Sequence, residues 1–193
     1  MNDQNYLVKI LGNRVNALRL VSNVASFKTR KKIADGIFMS KLMYMIQVWG
    51  GCEKYLLQSL QTIQNKAARA VVRLEAGTPT RTILSQCGWL SIRQLVTYHS
   101  TVLVHRVKLS RVPQYLYDMY NFDERLIGTR EAGLKLMRLS KSKPPKTELA
   151  AKGFRWRSCQ EYNMLPLEVR SSQNMDRFKK MARAWIKDNI PLV

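Results

Sequence analysis

Cations set at helical spacing are the clearest chemistry in this sequence. Tyr55, Thr62, Lys66, Arg69 and Arg73 follow one another at steps of seven, four, three and four residues. At roughly 100° per residue they fall on one line of a helix, about a right angle round from the apolar positions Leu56, Leu60, Ile63, Ala67, Ala70 and Leu74. Such a line can neutralise a run of phosphates, with the aromatic at one end stacking on a base. The same spacing also suits an ordinary solvated flank. Scarcity of acids favours the phosphate ledge, because between residues 51 and 110 the sequence has Glu53 and Glu75 alone, so these cations have few partners within the chain. The densest basic run is Lys28-Thr29-Arg30-Lys31-Lys32, at the start of a predicted helix, where the helix dipole disfavours positive charge. An external anion would offset that, which fits a phosphate contact or a nuclear-import signal. Phe154-Arg155-Trp156-Arg157 alternates aromatic and guanidinium, a pattern that fits stacking on bases and equally a strand with one buried face.

Catalytic chemistry has no comparable signal. Two-metal polymerases and nucleases need carboxylates close enough to bridge ions about 4 Å apart, and the chain has no Asp-Asp pair. Asp123 and Glu124, its adjacent acids, fall in a stretch of turn formers and read as a solvated surface pair. No Gly-rich phosphate loop, GxSxG elbow or HExxH helix is present. His99 and His105 are six apart, on opposite sides of a helix rather than on the one face that a shared metal requires. Cys52, Cys87 and Cys159 lie 35 and 72 residues apart, which draws neither a disulfide framework nor a CxxC zinc pair. The thiols read as reduced and intracellular. The expectation is a binding protein without enzymatic activity, metal or cofactor. Trp49, Trp89 and Trp185 sit on apolar faces and are expected in the core.

The elements that would carry the cations are helical. Leu7, Leu11, Val15, Leu18 and Val21 predict a helix over 5–23, and Ile33, Ile37, Tyr44 and Val48 a second over 29–49, stopped by Gly50 and Gly51. The ledge lies on a third, over 53–75, closed by Gly77. Thr78 as N-cap with Pro79 at the first helical position opens a short helix to Cys87, and Gly88 supplies a left-handed exit. Ser91 and Gln94 form a capping box for a fifth helix to about residue 109. The expected fold is mainly α: a helical domain over 1–110, then a less regular α-rich region over 111–193. That second region has a basic loop or loose hairpin at 128–151, containing Lys141-Ser142-Lys143-Pro144-Pro145-Lys146. Leu165 to Arg170 predicts one helical turn with Pro166 at its first position. Asn174 caps a terminal helix over 174–190 with Phe178, Met181, Trp185 and Ile186 on one face.

Charge narrows the partner. The 193 residues carry 33 Lys plus Arg against 13 Asp plus Glu, a net +20, and a compact body with that charge repels itself unless something anionic is near. Residues 1–110 are the more purely cationic part, with 16 basic and 4 acidic side chains against 17 and 9 in 111–193. An apolar share of 46% suffices for a core. The longest apolar stretch, Ile37 to Trp49, is interrupted by Lys41 and Gln47 and falls short of the roughly 20 residues of a spanning helix. Nothing at the N-terminus reads as a signal or transit peptide. The expectation is an intracellular protein of nucleus or cytoplasm that meets nucleic acid and no membrane.

Four motifs in order resemble a known family. Tyr44-Met45-Ile46-Gln47-Val48-Trp49-Gly50, Leu60-Gln61-Thr62-Ile63-Gln64-Asn65-Lys66-Ala67-Ala68-Arg69 and Cys87-Gly88-Trp89-Leu90-Ser91-Ile92-Arg93 are similar to the segment downstream of the polymerase palm in jockey-like non-LTR (LINE-type) retrotransposon reverse transcriptases. Asn163-Met164-Leu165-Pro166-Leu167-Glu168-Val169-Arg170, followed by Phe178-Lys179, is similar to that family's terminal Trp-Asn-x-Leu-Pro-x-x-x-Arg and Phe-Lys elements, with Tyr162 in place of the Trp. The resemblance covers about residues 6–190. It implies a thumb-like helical bundle and its C-terminal extension, gripping an RNA or RNA:DNA duplex, without the Asp-Asp palm. Asn5-Tyr6-Leu7 resembles a remnant of the Lys-Tyr-Leu-Gly that follows the palm, with Val8 where the Gly stands. The partners implied are nucleic acid through its backbone and a separate palm or other protein. A structural unit packing on another chain, or a transposon relic, is the alternative reading.

Overall fold

A computed structural model describes residues 3–74, 77–122, 138–139 and 145–192. The fold is mainly α, as the sequence predicts, and it divides into two compact units. The first comprises Met1–Leu95 with Pro191–Val193, the second Val96–Ile190. The division falls inside a helix rather than near residue 111, where the charge balance changes. Packing explains the difference: Val104 already belongs to the second unit's core, and His105 stacks on Phe178 there. Charge composition carries no record of where a continuous helix changes neighbours.

In the first unit α1 (Asp3–Ser22) packs along α5 (Lys54–Val72), and Leu11, Val15 and Leu18 of the one and Leu56, Leu60, Ala67 and Val71 of the other are buried. The predicted helix over 29–49 is instead a broken rod. α2 (Phe27–Ala34), capped by Ser26, continues through a π-helical turn (Asp35–Met39) into α3 (Ser40–Met43), and a left-handed Met45 separates it from α4 (Ile46–Trp49). A π turn disturbs the ladder of backbone carbonyls. Here Arg14 donates to the carbonyl of Ile37 and Ser40 to that of Gly36. Asp35, at the turn's start, accepts the indole N–H of Trp89 at 2.9 Å, and Trp89 stacks on Phe38 with centroids 6.1 Å apart.

α6 (Thr80–Cys87) begins one residue later than predicted, with Pro79 itself as N-cap and no side-chain cap bond. Gly88 takes the expected left-handed exit at φ +64. The capping box of α7 (Ile92–Ser110) forms: Ser91 N–H donates to Gln94 Oε1 at 3.0 Å, and Gln94 N–H to Ser91 Oγ at 3.3 Å.

The second unit follows α7 with α8 (Gln114–Met119) and a two-residue antiparallel pairing of β1 (Tyr120–Asn121) with β2 (Arg138–Leu139), Tyr120 opposite Leu139. Most of the predicted basic loop, with Lys141 to Pro144, lies outside the described residues, as do Asp123 and Glu124. α9 (Glu148–Lys152) forms where that loop was expected to end, started by Thr147 Oγ1, which accepts from Ala150 N–H at 3.3 Å. α10 (Phe154–Asn163) is a helix, so the strand reading of Phe154 to Arg157 is corrected. Pro166 is the N-cap of α11 (Leu167–Arg170) rather than its first residue. Asn174 caps α12 (Met175–Asn189) as predicted, its Oδ1 accepting from the N–H groups of Asp176 and Arg177 at 2.9 and 3.0 Å.

Candidate nucleic-acid interface

Two predicted contacts of α5 prove to be internal ties. The buried face of this helix is set by Leu56, Leu60, Gln61, Gln64, Ala67, Ala68 and Val71, so its centre lies nearly opposite the ledge rather than a right angle from it. Tyr55, Thr62 and Lys66 accordingly point to solvent. Arg69 is half-buried and donates through Nη2 to the carbonyl of Thr78 at 3.3 Å. Arg73 is not on the helix face. It is the left-handed C-cap at φ 59, its N–H returning to Arg69 O at 2.8 Å while its guanidinium donates to the carbonyl of Ser22. A guanidinium has five N–H groups, so both arginines retain donors, but one direction of each is committed to the fold.

The rotation of α5 is caused by its glutamines. Gln61 donates to Gln64 Oε1 at 2.9 Å and to Asn65 Oδ1 at 2.8 Å, and accepts from the N–H of Ile92 at 2.8 Å. Gln64 donates to the carbonyl of Leu90 at 2.9 Å. Hydrophobic periodicity treats Gln as a surface residue. Here both amides satisfy backbone groups of the segment joining α6 to α7, which would otherwise be buried without partners.

The basic run at the start of α2 separates in the same way. Arg30 is 7% exposed, donating from Nε to Val71 O at 2.7 Å and from Nη1 to Ala25 O at 2.6 Å. It is withdrawn from the candidate phosphate contacts. Lys31 pairs with Asp35 and lies over the Trp89 ring, 5.5 Å from its centroid. Lys28 and Lys32 are exposed. In the second unit Arg155 is exposed, whereas Arg157 turns inward to Glu161 Oε1 at 3.3 Å and Ser100 Oγ at 3.5 Å, which removes it from base stacking.

Among the described residues of the second unit, the most regular cationic surface lies on α12, away from the positions predicted from the sequence. Arg177, Lys180, Arg183 and Lys187 on α12 are all exposed, and the helix buries Phe178, Ala182 and Ile186 on its other side. Their spacing of three, three and four residues is a helical line about 15 Å long. That periodicity is visible in the sequence once the apolar face is assigned. Arg183 also lies over the ring of Tyr98 at 5.9 Å, and Asp176, beside the line, pairs with Lys179 at 3.1 Å.

What holds α12 is a packed aromatic stack. Phe178 lies flat on His105, with centroids 3.7 Å apart at 5°, and His105 Nδ1 meets the Tyr162 hydroxyl at 2.9 Å. Nε2 faces the carbonyl of Ser172 at 3.0 Å, an acceptor only, so this nitrogen carries the proton and Nδ1 accepts from Tyr162. Burial, reinforced by Lys108, depresses the pKa of His105 to about 4 against the opposing bond to Ser172. The ring is therefore neutral at pH 7. Arg170, 1% exposed, donates from Nε to Leu165 O at 2.9 Å and closes the turn below the helix.

Burial raises the thiols of Cys87 and Cys159 to about 11, which makes them inert at neutral pH. Among the described residues no three His, Cys, Asp or Glu side chains come together as a metal site requires, and no helix is long and apolar enough to cross a membrane. Comparison with models of known families, with curated proteins and with solved structures gave no match.

Proposed function

We propose that this chain is a non-catalytic nucleic-acid-binding module that grips the backbone of an RNA or RNA:DNA duplex. The observation that carries the reading is the exposed line of Arg177, Lys180, Arg183 and Lys187 on the outer side of a firmly packed helix. In the first unit exposed Lys28, Lys32 and Lys66, with Tyr55, supply further contacts of the same kind. Backbone neutralisation needs regularly placed cations and no base-reading groups. The four ordered motifs support the narrower reading of a thumb and C-terminal region of a jockey-like reverse transcriptase, separate from any palm.

Fluorescence-anisotropy titration with an RNA:DNA hybrid, an RNA duplex and a DNA duplex, each in two unrelated sequences, tests this function. Affinity independent of sequence and falling steeply with salt is expected, and binding confined to one sequence would overturn it. Primer extension by the same preparation with Mg²⁺ or Mn²⁺ is expected to stay at the level of a mock purification.

A further inference from the structure

The break between α3 and α4 builds an apolar groove. No Gly or Pro stands at residues 43–46 to require it, yet Met45 adopts φ 50, a left-handed conformation that disfavours a side chain by roughly 1–2 kcal/mol. The indole N–H of Trp49 donates to the carbonyl of Tyr44 at 3.0 Å and pins the break. Its consequence is exposure: Tyr44 is 65% exposed, Val48 68%, Met45 52% and Tyr6 53%. These side chains border an open groove of about 370 Å³ whose floor includes Leu7, Leu56 and Leu60. Local strain that turns apolar side chains towards water is compensated when a partner covers them.

Charge identifies the partner. Lys41 lines the groove, 5.4 Å from the centroid of the Tyr44 ring, and no carboxylate is among its described lining. Lys9 and Lys54, both exposed, stand one and two residues from lining positions, and exposed Glu53 stands one residue from Cys52, so the flanks add one net positive charge to that of Lys41. A second copy of this chain would bring another +20 to the contact and be repelled. A duplex backbone offers no apolar face. We propose that the groove receives the apolar face of an acidic amphipathic helix from another protein, with Lys41 at the rim meeting its carboxylates. The mode is helix-in-groove recognition, in which apolar anchors one turn apart supply affinity and rim charge selects the partner. The groove and the cationic line of α12 are separate features, so each proposal stands or falls without the other.

The probe is a fluorescein-labelled synthetic helical peptide with leucines at i, i+3, i+4 and i+7 and glutamates elsewhere. Its control is a scramble of identical composition, which measures general attraction to a protein of this charge. At physiological salt the full chain is expected to bind the ordered peptide at least about tenfold more tightly than the scramble. Val48→Asp, at an exposed position, is expected to abolish that preference without changing the thermal melt. Lys41→Glu is expected to weaken the ordered peptide about tenfold. Equal affinity for the two peptides, or a preference retained in Val48→Asp, would overturn the proposal. So would a dimer, seen by sedimentation without peptide, that Val48→Asp dissociates, because a second copy would then occupy the groove.

Discussion

α5 and α12 are both amphipathic helices with a line of cations on one side, and they use those cations differently. At the C-terminal end of α5, Arg69 and the C-cap Arg73 bond to the carbonyls of Thr78 and Ser22, and the inner face carries the polar clamp of Gln61 and Gln64. On α12 the inner face is apolar and the outer line of Arg177, Lys180, Arg183 and Lys187 is exposed. Helical spacing shows which side chains share a face. Whether a cation serves the fold or a ligand depends on the backbone carbonyls within its reach, and those come from distant parts of the chain. Arg30 makes the same point, since its partner Val71 is 41 residues away.

The largest test of this contrast is on the inner face of α12. Phe178→Ala removes a fully buried ring from the stack on His105 and is expected to destabilise the protein by about 3–5 kcal/mol in urea unfolding. A loss below about 1 kcal/mol would mean that α12 is not anchored as described.

Acid attacks the same stack. His105 has its pKa lowered from 6.5 to about 4 in the fold, so between these values the unfolded chain binds more protons than the folded one. Its stabilising contribution is fully present above pH 6.5 and is lost as pH falls towards 4, amounting to up to about 3 kcal/mol. His99, lowered by burial and by Arg183, acts in the same direction. Urea midpoints measured from pH 7.5 to 4 should fall, and the fall should be shallower in His105→Gln. An equal slope in that variant would assign the acid sensitivity to other groups.

On the α5 side, Arg30→Gln and Gln64→Leu are each expected to lower stability by about 1–3 kcal/mol, because each removes a donor from a buried carbonyl, that of Val71 or of Leu90. Lys66→Gln, at an exposed position of α5, should change stability by no more than about 0.5 kcal/mol. If Arg30→Gln proved as mild as Lys66→Gln, the division between structural and available cations would fail.

The features legible in sequence are the local ones. The Ser91–Gln94 capping box, the Asn174 cap and the left-handed Gly88 depend on neighbours within four residues and appear where the sequence predicts them. The break at Met45 is not legible, because what pins it is the indole of Trp49 rather than a Gly or Pro. The buried glutamines escape periodicity for a similar reason: their partners, Leu90 and Ile92, lie 26 and 31 residues on. The candidate site was legible in its chemistry and only partly in its location. Cations dominate the sequence, but Arg30 and Arg157 are inside and the regular line on α12 becomes evident once its inner face is known.

The smallest expected effect on stability accompanies the largest expected effect on binding. Changing Arg177, Lys180, Arg183 and Lys187 together to Gln should leave the thermal melt close to that of the wild type, since all four are exposed opposite the core. Titration of both proteins against an RNA:DNA hybrid at several salt concentrations gives the slope of log affinity against log salt. Each phosphate contact removed reduces that slope by about 0.9, so the fourfold variant should flatten it by about three to four units, equally for unrelated sequences. An unchanged slope in a folded variant would contradict the proposal that α12 grips nucleic acid.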